Sequence, residues 1–247
     1  MTLMANALSD DETSSGLAMD HIEEKALYDE RRDVSRARPL LQGDVLDGVI
    51  LPGLGEEPMK VQIVAHPCAM RRGADLAPRI TVAPVERYRA VTGNGWDGNL
   101  RIMPLSGLVD GEHFATMFVD VTASPAEQLT RARRIATLSH QGIYVLQQRL
   151  IKHYTRIDMP LEILRRESSA VLTEAELQWA WLDEVLTDAE LGSEDAITVE
   201  ATAFDGWLGA GTPSRRVRLG NDIHHADVRR EALRAARERA RTREDAR

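Results

Sequence analysis

The feature that most constrains this chain is a run of short apolar segments between Gly43 and Val121, each cut off by a turn signal. Val45 to Leu51 is β-branched and apolar, and Pro52-Gly53 breaks it. Val61 to Ala65 carries a single polar residue, and Ile80 to Val85 mixes apolar and small residues. Leu100 to Leu105 and Phe114 to Val121 follow, joined through Gly107 and Gly111. Between the third and fourth runs, Thr92-Gly93-Asn94-Gly95 is a turn, because Asn and Gly tolerate positive φ. Segments of this length with such punctuation predict five or six strands in a small barrel or sandwich.

Helical signals flank the strands. Residues 1–15 are polar and acidic and predict disorder, and Gly16 to Arg38 predicts a helix that ends before Pro39. Ser124-Pro125-Ala126-Glu127 has the form of a capping box, with Arg131, Arg133 and Arg134 in the later half of the helix it would open. Ser139 caps a second helix with Ile143, Leu146, Leu150, Tyr154 and Ile157 in one stripe. A further box at Thr173 and Glu176 opens a third helix. Its stripe runs through Leu172, Ala175, Trp179, Leu182, Leu186 and Ala189 and ends at Gly192. Ile197 to Phe204 reads as a strand, and Gly206 to Gly211 as a glycine-rich loop around Trp207. From Ala226 onward the chain reads as an exposed, frayed Ala/Arg helix.

Charge divides the chain. The total is −8 over 247 residues, but residues 39–156 carry +2, residues 157–214 carry −11, and residues 215–247 carry +5 with eleven arginines and no lysine. The acidic total argues against unspecific nucleic-acid binding by the whole chain. Cys68 is the only cysteine, so no internal disulfide forms, and a cytoplasmic location is expected. No apolar run is long enough for a membrane helix, and the first residues show no secretory pattern.

The densest polar cluster is His66-Pro67-Cys68 with Arg71-Arg72. Its functional reading makes His66 an acid or base and Arg71 and Arg72 phosphate clamps, which together form the candidate catalytic group. Its plain reading is a surface loop with a partly buried Cys68. Lys60, Arg79 and Arg87 are the candidate RNA-binding residues. No cofactor or metal is expected: one cysteine and one nearby histidine fall short of a structural zinc set, and His224-His225 beside Asp222 is a solvated loop. The glycines at 206, 209 and 211 lack the G-K-[ST] of a phosphate loop.

The residues from Gly43 to about Tyr154 resemble the MazF/PemK family of SH3-type barrels. Gly43-Asp44-Val45 is similar to that family's opening strand. Val61-Gln62-Ile63-Val64-Ala65 with Ile80-Thr81-Val82-Ala83-Pro84 is similar to its central strand pair. Arg134-Ile135-Ala136-Thr137-Leu138-Ser139 is similar to its junction into the closing helix. The resemblance implies an α+β fold: a PemK-type barrel with flanking helices and a helical C-terminal extension. The expected divisions are a tail and helix over 1–40, the barrel over 41–157, an acidic extension over 158–214 and an Arg-rich tail over 215–247.

The resemblance also implies a metal-independent endoribonuclease acting on single-stranded RNA, and a homodimer. Family members use an arginine of an R-P pair before the second strand and a hydroxyl after the third. Here those places hold Glu57-Pro58-Met59-Lys60 and Val85-Glu86-Arg87. Two functions therefore stand. One is an RNA-directed MazF/PemK-like protein with a rebuilt or weakened site. The other is a non-catalytic protein-interaction module of a defence or mobile-element system, with Trp179, Leu182 and Leu186 as a partner interface. Within the first, residues 158–208 are expected either to mask the basic loop or to enlarge the core.

Overall fold

The computed structural model describes residues 21–245 apart from Asp33 and Gly73, and describes Arg72 by its backbone alone. The disorder expected for residues 1–15 lies outside the described residues, as does the start of the helix expected from Gly16.

In chain order the elements begin with α1 (Glu24–Leu27), β1 (Tyr28–Arg31), β2 (Val45–Val49) and β3 (Met59–Ile63). Next come α2 (Pro67–Met70), the two-residue strands β4 (Arg71–Arg72) and β5 (Asp75–Leu76), and the long β6 (Arg79–Arg87). Then follow β7 (Ile102–Val109), β8 (Glu112–Met117), β9 (Thr122–Pro125), α3 (Ala126–Arg131) and β10 (Arg133–Leu138). The described residues end with the α-helices α4 (His140–Thr155), α5 (Leu161–Val185), α6 (Glu194–Gly209), α7 (Arg215–Leu219) and α8 (His225–Asp245).

The main sheet is antiparallel, in the order β1-β10-β2-β3-β6-β8-β7, with β9 beside the first half of β6. It curls into a nearly closed barrel. At the seam, Arg31 Nη1 donates to the Gly107 carbonyl and to Glu24 Oε1, both at 2.6 Å. The outer edge of β7 is guarded further along, where Arg149 Nε donates to the Ile102 carbonyl at 2.9 Å and Pro104 offers no N–H. Gly43 enters β2 at φ +91°, and a Cβ there would lie 2.9 Å from the Leu138 side chain, so only glycine fits.

Alternate residues of the central strands feed two different cores. Val45, Ala83 and Val85 face a cluster with Met103, Phe114 and Ile143, while Leu46, Ile63 and Val82 face one with Met70, Ile80 and Leu129. Apolar cover on both faces explains why these strands read as continuous apolar runs. The first core takes in α4 and the start of α5 through Leu146, Leu161, Leu164 and Leu172. A third core lies in the C-terminal helices. Leu177, Trp181 and Val185 of α5 meet Phe204 and Leu208 of α6 and Val228, Ala232 and Ala236 of α8.

The five expected strands are present with shifted ends, but several other expectations are corrected. Among the described residues of the helix expected up to Arg38, only α1 is helical, because Tyr28–Arg31 is taken as an edge strand by β10. Ser124 forms no capping box: it lies on β9 opposite Ile80 of β6, and its hydroxyl donates to Gln128 Oε1 at 3.2 Å. The helix after it stops at Arg131, and Arg133 and Arg134 lie on β10 between β1 and β2. Thr173 and Glu176 sit in the middle of the 25-residue α5, because burial of Leu164, Ser168 and Leu172 carries the helix through.

Ile197 to Phe204 is helix, not strand. The Ser193 hydroxyl caps α6, and Ala201, Phe204 and Leu208 bury at helical spacing, which outweighs the β-branched residues. Gly206 and Gly209 fall inside that helix. Helix α8 is not a frayed tail, since three small apolar residues at four-residue intervals seat it closely against α5. Tyr154 and Ile157 leave the expected core stripe and are exposed, because α4 ends at Thr155 with Arg156 in the left-handed region. Ser139 does cap α4: its hydroxyl accepts from the Gly142 N–H at 3.0 Å.

Candidate functional site

The loop after β3 places its cations against α5. His66 ends the extended segment at φ −63°, ψ 141°, and its Nδ1 accepts from the Cys68 N–H at 3.3 Å, starting the single turn α2. Half-burial pushes the His66 imidazole below its usual pKa. Cys68 is an exposed free thiol rather than a partly buried one, because the single turn α2 leaves it on the outer side of the loop. Arg71 then turns inward rather than toward solvent. Its Nη1 donates to Gln178 Oε1 on α5 at 2.8 Å, and its Nη2 reaches the Leu40 carbonyl at 3.5 Å. Burial pulls the Arg71 guanidinium below its usual value, opposed by the Glu174 and Asp44 carboxylates. An arginine in this setting ties α5 to the barrel.

Lys60, Arg79 and Arg87 do not converge on that loop. Lys60 Nζ lies 3.5 Å from Asp47 Oδ1 and 5.7 Å from the Phe114 ring centroid. Arg87 Nη1 donates to Glu112 Oε1 at 2.8 Å on the neighbouring strand. Arg79 is exposed at the start of β6, where it pairs with Pro125. The backbone of Arg72 lies on β4, opposite Asp75. The structure therefore brings His66 and Arg71 to one loop and leaves Lys60, Arg79 and Arg87 on separate parts of the strands.

The expected partner interface divides in the same way. Leu182 and Leu186 are buried inside the chain, so they offer no outer surface. Trp179 is half-buried at the wall of a cleft of about 290 Å³. This cleft lies where β1, β10, α4 and α5 meet, and sequence reasoning did not find it. His140 Nε2 and Glu176 Oε1 are 3.1 Å apart across it, and Glu176 Oε2 accepts from Arg229 of α8 at 2.8 Å. On the opposite wall Arg38 holds Asp29 at 2.6 Å and Glu30 at 2.9 Å. Burial works against the Arg38 charge, but those two carboxylates outweigh it and hold its pKa up. Every ionised group named on these walls already has a partner of opposite sign.

Buried polar links join the barrel to the helices. Gln42 Nε2 donates to the Val64 carbonyl at 2.8 Å, and Gln147 Nε2 donates to Gln42 Oε1 at 2.8 Å. The Ser168 hydroxyl then reaches Gln147 Oε1 at 3.2 Å, so barrel, α4 and α5 share one chain of hydrogen bonds. Inside the wall, Gln62 donates to the Gly43 carbonyl and accepts from Thr116 at 2.7 Å. Arg149, fully buried, is ringed by the Ile102, Trp96 and Asn99 carbonyls, and burial lowers its pKa to about 10. These are structural networks, and no nucleophile–base pair stands among them.

Among the described residues no group of three or more His, Cys, Asp or Glu side chains is placed to hold a metal ion. His225 Nε2 lies 2.7 Å from the Leu219 carbonyl and 3.4 Å from Asp222, a local helix-start contact. Among the described residues no helix is long and apolar enough to cross a membrane. No known family model matches the chain, and no curated protein matches it.

Proposed function

We propose that the chain is a non-catalytic protein-interaction module built on a PemK-type barrel. The observation that carries this reading is the engagement of Arg71. Arg71, a candidate phosphate clamp of the barrel loop, donates instead to Gln178 of α5 and to the Leu40 carbonyl. Catalysis at a ribose 2′-OH needs a proton acceptor and a cation aimed at the same reacting phosphate. Here His66 carries the local backbone turn, Lys60 and Arg87 face carboxylates, and the family's arginine and hydroxyl positions hold other residues.

The test is RNA binding and cleavage by the full chain beside Arg71→Ala. The expected result is no cleavage and no salt-sensitive binding by either protein, with a lower melting temperature for the variant. Cleavage by the full chain that disappears in Arg71→Ala would overturn the reading and restore an RNA-directed, MazF/PemK-like function.

A further inference from the structure

The outward face of α8 carries four arginines in one ridge. Arg230, Arg234, Arg237 and Arg241 are all exposed and recur at intervals of four, three and four residues. At about 100° per residue they fall within about 60° of arc, and at about 1.5 Å rise per residue they span about 16 Å. The inner face of the same helix is fixed: Val228, Ala232 and Ala236 are buried, and Arg239 and Arg243 both reach the buried Glu200. The ridge is therefore presented on a seated helix rather than on a loose tail.

The ridge arginines differ in how far they are engaged. Arg230 pairs with Asp227 on its own helix, and Arg237 lies 3.5 Å from Glu184 of α5. Arg234 and Arg241 make no ion pair among the described residues. Arg218 of α7, held by Glu231 at 2.8 Å, extends the positive surface beside Arg230 and Arg234. An exposed arginine row held only by its own neighbours is commonly a solvated face. Two unengaged guanidinium groups stand on this seated helix two turns apart, and each offers a planar fork of donors to an anion.

We propose that this ridge docks an acidic helix of a protein partner, with carboxylates spaced to meet Arg234 and Arg241. This rests on the protein-interaction reading above and names the chemistry of its partner. Carboxylates fit better than a nucleic-acid backbone because of what borders the ridge. The ridge is bordered by its own acids, Asp227, Glu238 and Glu244, which repel a continuous line of phosphates but leave room for discrete carboxylates. Arginine forks pair with single carboxylates in a bidentate manner.

The experiment is a fluorescence-anisotropy titration of the full chain with two probes. One is a short helical peptide bearing glutamates at alternating three- and four-residue intervals; the other is a single-stranded RNA of similar length. The peptide is expected to bind at low ionic strength and to weaken with salt. Arg234→Gln/Arg241→Gln should weaken it about fivefold, as two exposed ion pairs imply, with an unchanged melting temperature. No peptide binding, or binding that the double variant leaves unchanged, overturns the proposal. RNA binding lost in the double variant also overturns it, by assigning the ridge to phosphate. Cleavage governed by Arg71 would instead sink the non-catalytic reading and leave the ridge measurement standing.

Discussion

Asp44 and Arg134 lie ninety positions apart in sequence and meet inside the barrel wall, with Oδ2 of the one 3.3 Å from Nη1 of the other. Asp44 is wholly buried and Arg134 is 5% exposed. The carboxylate also accepts from the Leu41 N–H at 2.9 Å, and the guanidinium donates to the Arg38 carbonyl at 2.8 Å and the Pro39 carbonyl at 3.3 Å. The pair thus fixes the chain entering β2 against β10.

Removing one member strands the other charge. Asp44→Ala should destabilise the protein by about 3–5 kcal/mol, far more than an exposed ion pair would. Urea denaturation measures it. A loss under about 1 kcal/mol would mean that the carbonyls alone satisfy Arg134.

The same pair gives a pH signature. Burial raises the Asp44 carboxyl above its ordinary value, with Arg134 and the Leu41 N–H opposing. The native state then binds this proton more tightly than the unfolded chain. The stability linked to Asp44 is present below the ordinary carboxylate range and is lost as pH rises through the raised folded value. Compared with Asp44→Asn, the native protein should lose stability as pH rises across that window. Parallel stability–pH curves for the two proteins would contradict this.

Gln147 should matter more than its polarity suggests. Gln147→Leu removes the donor to Gln42 and the acceptor of Ser168, leaving both in buried surroundings. A loss of about 1–3 kcal/mol is expected. Thermal unfolding should show it, and hydrogen exchange should rise at both α4 and α5. Exchange confined to α4 would mean that the hydrogen-bond chain does not couple the two helices.

Gly142 tests a close approach. In an ordinary helix, glycine to alanine gains about 0.5–1 kcal/mol. Here the new Cβ would lie 2.4 Å from the Leu27 carbonyl oxygen, a backbone atom that cannot swing away. Overpacking of about 1–3 kcal/mol should win, so Gly142→Ala lowers the melting temperature. A rise would show that α1 yields.

The barrel strands were legible because β2, β3 and β6 are covered on both faces, so burial and β-branched composition agree along them. The elements misread were those whose state is set by distant partners. Tyr28–Arg31 is a strand only because β10 lies beside it, and Ile197 to Phe204 is helical only because Phe204 and Leu208 have a core to enter. The site followed the same rule. Arg71 was visible as a cation, but its acceptor Gln178 is 107 residues away, and no local pattern links them. The cleft between His140 and Glu176 was hidden for the same reason, since its walls come from four elements.

Helix α5 runs without interruption from the barrel's core to the C-terminal one, with Leu161 to Leu172 in the first and Leu177 to Val185 in the second. A protease therefore finds no hinge between the two halves. The break at 156–160 lies before the helix, and a cut there would strip the barrel of Leu161, Leu164 and Leu172. A cut after Val185 would leave Trp181 facing water. Neither fragment would keep a closed apolar surface, so limited digestion should pass from intact chain to small peptides without a durable half-molecule.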